Sequence, residues 1–316
     1  MKETLLKGGS LARTSLIEEN GKTFVRKKIS LEKEREYGYY RWYSQLKKLQ
    51  RIGGMFPGKF VEVLDFGVLK GAEKFAYMDL EYHEDAVNCY EYLCEEGRTR
   101  SEAHSLARSI RDSISEIHDY PIDSFEGAMG LYFEEEIMSK LRECHRHSNS
   151  FRYIFDQSKI PSMLPKLRDI ALQLHIPNES LTHGNLTLEN ILFLRGSGKV
   201  LFIDVYEENI IDNKYNDYSQ LLQSASSHYE LTCEHGESFS VPKAMTHFNE
   251  ELYLIMNDQM TEREISLTLF FECSQFYRML PFKLKASRNA FESINSTTPF
   301  LRIAERLTED LINDES

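Results

Sequence analysis

Leu181-Thr182-His183-Gly184-Asn185-Leu186-Thr187-Leu188-Glu189-Asn190-Ile191-Leu192-Phe193, followed by Leu201-Phe202-Ile203-Asp204-Val205, is the stretch on which the reading of this chain turns. Its two apolar runs, Ile191 to Leu194 and Val200 to Ile203, are joined by Arg195-Gly196-Ser197-Gly198-Lys199, a pattern that makes a short hairpin. Asn190 precedes the first run and Asp204 ends the second, so pairing of the strands brings them near each other. An amide oxygen and a carboxylate are reasonable Mg2+ ligands. Upstream, His183 and position 185 lie in a loop. Phosphoryl transfer needs a residue that orients the attacking hydroxyl and oxygens that hold the metal against the phosphates, and this segment supplies both kinds.

Working outward toward the N-terminus, residues 1–85 read as a small β-rich lobe with one helix. Ser15 to Glu19 and Thr23 to Ile29 flank Asn20-Gly21, a strong hairpin signal. Leu31 to Gln50 is rich in helix formers, with Tyr39, Tyr43, Leu46 and Leu49 at helical spacing, and Gly53-Gly54 are expected to end that helix. Strands follow over Phe60 to Leu69 and Lys74 to Tyr82, turning at Lys70-Gly71. The order is strand, strand, strand, helix, strand, strand. In Phe24-Val25-Arg26-Lys27-Lys28-Ile29, the two-residue period puts Lys27 on the face of Val25 and Ile29 and leaves Arg26 and Lys28 on the other. A lysine among apolar neighbours is better explained by a phosphate than by solvent. Gly8-Gly9-Ser10 stands where a phosphate-covering loop would lie, since glycines let backbone N–H groups approach phosphate.

Residues 86–316 read as mostly helical, with helices over Ser101 to His118, Phe125 to His145, Pro161 to Leu174 and from about Asp217 onward. The fold class is α+β: a small antiparallel β lobe with one helix and a larger α lobe, with a cleft between them. Of 316 residues, 41% are hydrophobic and 28% charged, ordinary for a globular protein. No run approaches the ~18 apolar residues of a membrane span, and the opening Met1-Lys2-Glu3-Thr4 does not read as a signal peptide. Five cysteines at irregular spacing argue against a disulfide framework and point to the cytoplasm. The net charge of −12 opposes non-specific nucleic-acid binding. Cys144-His145-Arg146-His147 and Cys233-Glu234-His235 lack a second well-spaced ligand pair, which sets zinc aside. Arg278, Lys283 and Lys285 read as a solvated helix face rather than an anion site. Oligomeric state is not legible.

Taken together, the segment resembles the catalytic loop of the aminoglycoside phosphotransferase and choline kinase-like family: His-Gly-Asp, four residues, Asn, then an apolar-Ile-Asp strand. The spacing matches throughout, over a resemblance that spans about residues 5 to 225. One departure matters, because the family's catalytic Asp is Asn185 here. The resemblance implies a protein-kinase-like two-lobed fold, ATP or GTP with Mg2+ as cofactors, and a small hydroxylated acceptor such as a sugar, amino sugar or amino alcohol. It implies that Asn190 and Asp204 hold the metal, that His183 braces the loop and that position 185 orients the acceptor. Lys27 would touch the phosphates and pair with a helical glutamate, Glu36 by choice and Glu32 or Glu34 as alternatives. The backbone of Glu81, Tyr82 and His83 would meet the base at the interlobe hinge. Asp217 would cap the helix that follows and brace the loop.

A neutral amide at 185 can hydrogen-bond a hydroxyl but cannot take its proton, a loss of ~10²–10⁴ in rate where that group is the base. Three accounts compete: an engineered Asp→Asn change in an otherwise competent enzyme, a natural substitution in a slow kinase, and a nucleotide-binding pseudokinase acting as a regulatory module. Retention of Lys27, Asn190 and Asp204 favours the first. A kinase acting on protein ranks below all three.

Overall fold

The computed structural model describes every residue except 1, 7–11, 33–36, 72, 123–127, 177–178, 207–208 and 315–316. The chain divides into two compact units. The first gathers Met1–Tyr92, His183–Asn185 and Glu189–Asn209, and the second Leu93–Thr182, Leu186–Leu188 and Ile210–Ser316. The loop and hairpin around Asn190 and Asp204, expected within the helical part, are therefore grouped with the first residues of the chain.

In the first unit, β1 (Lys2–Leu5), β2 (Arg13–Glu19), β3 (Lys22–Ser30), β4 (Val63–Leu69) and β5 (Phe75–Glu81) form an antiparallel sheet in the order β1-β2-β3-β5-β4. The β2–β3 turn is made by Asn20 and Gly21, both at positive φ (51° and 74°), as a two-residue turn matched to strand twist requires. Between β3 and β4 runs α1 (Tyr37–Met55). Gly53-Gly54 do not end it, because fully buried Ile52 anchors the last turn and offsets the glycine penalty of ~1 kcal/mol per residue. Its buried stripe is Trp42, Leu46, Leu49 and Ile52. Tyr43, expected in that stripe, is exposed.

A second sheet joins β6 (Ala86–Asn88), β7 (Ile191–Leu194) and β8 (Val200–Phe202) in that order. At three residues, β6 is too short to show periodicity. Phe60 forms a parallel bridge with Phe202 instead of opening β4. Backbone bonds from Val61 to the Phe202 carbonyl (3.2 Å) and from Phe202 to the Lys59 carbonyl (2.8 Å) tie residues 59–61 to β8. This is why the hairpin belongs to the β-rich unit.

After α2 (Cys89–Cys94), the second unit contains α3 (Arg100–His118), α4 (Ala128–Phe133), α5 (Ser139–His147), α6 (Asn149–Gln157) and α7 (Ile160–Gln173). It continues with α8 (Lys214–Ala225), α9 (Tyr229–His235), α10 (Lys243–Gln259), α11 (Glu262–Lys285) and α12 (Ala290–Asp314). A π turn over Glu134–Met138 links α4 to α5, and α6, not foreseen from the sequence, starts from Ser148 as its N-cap. Helix α3 opens with a capping box, the Thr99 hydroxyl accepting from the Glu102 N–H while the Glu102 carboxylate accepts from the Thr99 N–H. Phe248, Phe270, Phe271, Phe276 and Tyr277 fill the helical core. Among the described residues no helix is long and apolar enough to cross a membrane.

Candidate active site

Three consecutive cations on β3 go to three different places. Arg26 lies opposite Asp79 of β5 in register and makes a bidentate pair with it, both bonds 2.6 Å, with its guanidinium between the rings of Phe24 and Tyr77. The Asp79 hydrogen bonds raise the Arg26 pKa further above its ordinary value. Lys28 reaches Glu3 at 3.1 Å. Lys27 alternates to the buried face, 4% exposed, where Nζ donates to Asp204 Oδ1 at 2.5 Å and to Gln45 Oε1 at 3.3 Å. Burying an ammonium this far is tolerable only with such partners.

Around Asp204 the backbone bends sharply. Asp204 has φ of 57°, left-handed and uncommon outside glycine, and so has Gly184, at 81°. Fully buried His183 holds the two turns together: Nε2 donates to the Ile203 carbonyl at 2.7 Å, and Nδ1 accepts the Asn185 N–H at 3.2 Å. That pair of bonds requires the neutral ring protonated at Nε2. Its ring stacks on Phe60 and meets Phe202 edge-on. Tyr206 N–H donates to the His183 carbonyl at 3.0 Å, and Asn209 Nδ2 to that of Gly184 at 3.2 Å.

Asn185 sits between Asn190 and Asp204. Its Nδ2 donates to the Asp204 carbonyl at 3.3 Å, and its own carbonyl accepts from Asn190 Nδ2 at 2.8 Å. Ile203 N–H donates to the Asn190 carbonyl at 3.0 Å. An amide binds a cation through its oxygen, so Asn190 would approach one through Oδ1. Among the described residues no three His, Cys, Asp or Glu side chains cluster as a metal site. Among the described residues, Asn190 and Asp204 would offer a cation two side-chain oxygens, with phosphates and water to complete its shell, as is usual for Mg2+.

Helix α1 reaches this loop through residues four and three apart. The Arg41 guanidinium lies 5.4 Å from the Tyr206 ring centroid, Gln45 Nε2 donates to the Val205 carbonyl at 3.2 Å, and Lys48 Nζ donates to the Tyr206 carbonyl at 2.5 Å. The helical neighbour of Lys27 among the described residues is thus an amide, Gln45. Glu36 and Glu34 lie outside the described residues, and Glu32 is exposed in the turn after β3. Sequence reasoning looked for a carboxylate and passed over Gln45. For Lys48 a signal existed: a lysine four residues before buried Ile52 and flanked by buried Leu46 and Leu49 stands out as Lys27 does.

Of the remaining residues named from sequence, Gly8, Gly9 and Ser10 lie outside the described residues. At the end of β5, the Glu81 N–H is engaged by the Glu62 carbonyl at 2.9 Å, and His83 Nε2 lies 3.1 Å from Glu81 Oε1. Tyr82 is partly exposed beside them. In the helical unit, the Leu186 and Leu188 N–H groups donate to Gln220 Oε1 (2.5 Å) and Ser224 Oγ (3.1 Å) of α8. The N-cap of α8 is Asn213, whose side chain accepts the Asn216 N–H at 3.0 Å; Asp217 is not the cap. The helix begins earlier than the sequence suggested because Asn213 takes the extended conformation of a cap. Asp217 lies inside the first turn, fully buried, 2.9 Å from His118 Nε2.

An antiparallel β unit carrying the buried lysine, a His-Gly-Asn loop and an apolar-Ile-Asp strand, with a helical unit, is a protein-kinase-like fold. No family profile matches the chain, and no curated protein matches it in sequence. Solved structures match nearly its whole length. Aminoglycoside phosphotransferase APH(4)-Ia aligns over 100% of this chain and 94% of its own at 9% identity, with a TM-score of 0.60. A Haemophilus somnus protein described as a fructosamine-3-kinase aligns over 96% and 91% at 13% identity, with a TM-score of 0.56. Aminoglycoside phosphotransferase APH(2")-IIa, in a ternary complex with streptomycin and ATP, aligns over 98% and 93% at 12% identity, with a TM-score of 0.53. At such identities the likeness shows the fold.

Proposed function

We propose that this chain binds a Mg2+–nucleoside triphosphate, ATP or GTP, through Lys27, Asn190 and Asp204, and passes the terminal phosphoryl group slowly to a hydroxyl of a small molecule such as a sugar, amino sugar or amino alcohol. The observation that carries the reading is the convergence of the buried Lys27 ammonium on the Asp204 carboxylate, 2.5 Å apart, beside Asn185 and Asn190. When bound, the metal would neutralise phosphate charge and draw the phosphates toward Asp204 and Asn190. Lys27 would then hold phosphate oxygens, and His183, locked in one tautomer, would keep the loop at position 185 in register. Asn185 would orient the acceptor hydroxyl without accepting its proton, so turnover would fall short of that of an aspartate by ~10²–10⁴.

A second reading has an observation of its own. The Asn185 amide donates to the Asp204 carbonyl at 3.3 Å, a contact in which a carboxylate would set oxygen against oxygen. An amide fits this loop, which favours a nucleotide-binding regulatory module in which position 185 is structural. ADP release from the chain as given and from Asn185→Asp, over a panel of small alcohols, separates the two. Gain of turnover in Asn185→Asp supports the enzyme. Nucleotide binding without turnover in either form supports the module, and no nucleotide binding in either form removes both.

A further inference from the structure

The amide at position 45 has a consequence for how ligands enter the site. Lys27 has a single charged partner among the described residues, Asp204, and its other contact is the neutral oxygen of Gln45. Gln45 is bound at both ends: its oxygen faces Lys27, while its nitrogen donates to the Val205 carbonyl, one residue beyond Asp204. A carboxylate there would neutralise Lys27 but would lose the donor that Val205 uses. Among the described residues, helix α1 therefore steadies Lys27 without supplying charge, and the balancing of this largely buried ammonium falls to Asp204.

Each ligand alone then breaks a pair. A cation that draws Asp204 away leaves Lys27 without a counter-ion, and separating one member of a buried pair is strongly unfavourable. A metal-free triphosphate that engages Lys27 leaves Asp204 facing additional negative charge. Together they replace one ion pair with two, phosphate on Lys27 and cation on Asp204. Resting on the nucleotide-binding reading, we propose that Gln45 is a positioning residue that makes metal and nucleotide binding mutually dependent, by leaving Lys27 and Asp204 to neutralise each other in the free protein. By linkage, the factor by which the metal tightens nucleotide equals the factor by which nucleotide tightens the metal.

The test is equilibrium binding on the full chain, with ATP affinity measured by calorimetry with and without Mg2+, and Mn2+ binding with and without ATP counted by electron paramagnetic resonance. The unmodified chain should show coupling of roughly 10-fold or more, within the ~5–150-fold span of typical linkage. Gln45→Glu, which gives Lys27 a second carboxylate and releases Asp204, should bind Mn2+ alone more tightly and lower the coupling to within about threefold. Gln45→Leu, which loses both hydrogen bonds but leaves Asp204 as the charged partner, should keep the coupling. A merely structural role would make the glutamate and leucine variants behave alike, and that result overturns the inference. So does an unmodified chain that binds Mn2+ equally well without nucleotide, a measurement that needs no variant to fold. Nucleotide binding with unaltered coupling in Gln45→Glu removes this inference alone, whereas no nucleotide binding in any form removes the nucleotide reading with it.

Discussion

Gly184→Ala is the substitution for which the structure gives the fullest account. Gly184 has φ of 81°, a left-handed conformation that costs an L-residue roughly 1–2 kcal/mol. A Cβ there would also run into the Tyr206 carbonyl oxygen and lie 2.8 Å from Asn209 Nδ2 and 3.2 Å from Lys48 Nζ. The Tyr206 carbonyl cannot move aside freely, because Lys48 holds it at 2.5 Å and the Tyr206 N–H is bonded to His183. Overpacking of this kind costs ~1–3 kcal/mol, so the sum is about 2–5 kcal/mol. For a chain of this size that corresponds to a fall in Tm of roughly 3–8 °C. The control is Gly198→Ala in the β7–β8 turn, which has φ of 70° and nothing within 4 Å of its would-be Cβ. It incurs the backbone term without the clash, and its loss should stop near 1–2 kcal/mol. Thermal unfolding of both variants by circular dichroism at one pH compares them directly. Equal losses would show that the packing of Tyr206, Asn209 and Lys48 against the loop does not exist as described.

Asp204→Asn should abolish Mg2+-dependent stabilisation by ATP and lower the Tm by stranding the buried Lys27 ammonium; Asp204→Ala should abolish it too and lower the Tm further, since asparagine tolerates the left-handed conformation at 204 better than alanine. An unchanged ATP–Mg2+ thermal shift in both would remove Asp204 from the metal site. Asp79→Ala should destabilise the β unit by ~3–5 kcal/mol by stranding Arg26, and an Arg26→Met, Asp79→Leu pair should recover most of it, as measured by urea unfolding. A double variant no better than the single one contradicts this. Glu272, fully buried in the helical core, has its pKa pushed by burial from 4.5 to about 7. The folded chain thus keeps a proton that the unfolded chain releases, and this contribution is full below pH 4.5 and is lost as pH rises through about 7. Glu272→Gln should therefore gain on the parent by up to roughly 3 kcal/mol by pH 8, and parallel Tm-versus-pH curves from pH 5 to 8 would contradict it.

How much of this was legible in the sequence depended on how local the cause was. The Asn20-Gly21 hairpin, the alternation that buries Lys27 and sends Arg26 and Lys28 elsewhere, and the β7–β8 hairpin follow from nearest-neighbour chemistry, and each was readable. The same holds for the order of elements in the β unit and for the mixed α and β class. Elements decided by tertiary contact were not. Phe60 reads as the start of a strand but pairs in parallel with Phe202, far along the chain. Helix α1 runs through Gly53-Gly54 because Ile52 is buried behind it. The cap of α8 moved to Asn213 since Asp217 is drawn into a buried contact with His118. Gln45 was missed for a chemical reason: charge complementarity to Lys27 is visible in a sequence, whereas an amide that bridges a lysine and a backbone carbonyl leaves no pattern.

That bridge bears on how variation in such chains would be read. Gln45 and Lys48 grip the carbonyls of Val205 and Tyr206, groups that every amino acid provides. The side chains at 205 and 206 can therefore change without disturbing these hydrogen bonds, whereas positions 45 and 48 cannot. Covariation methods, which look for paired changes, would find no signal between α1 and this loop. The attachment would show only as two unusually invariant polar residues inside an apolar helix face.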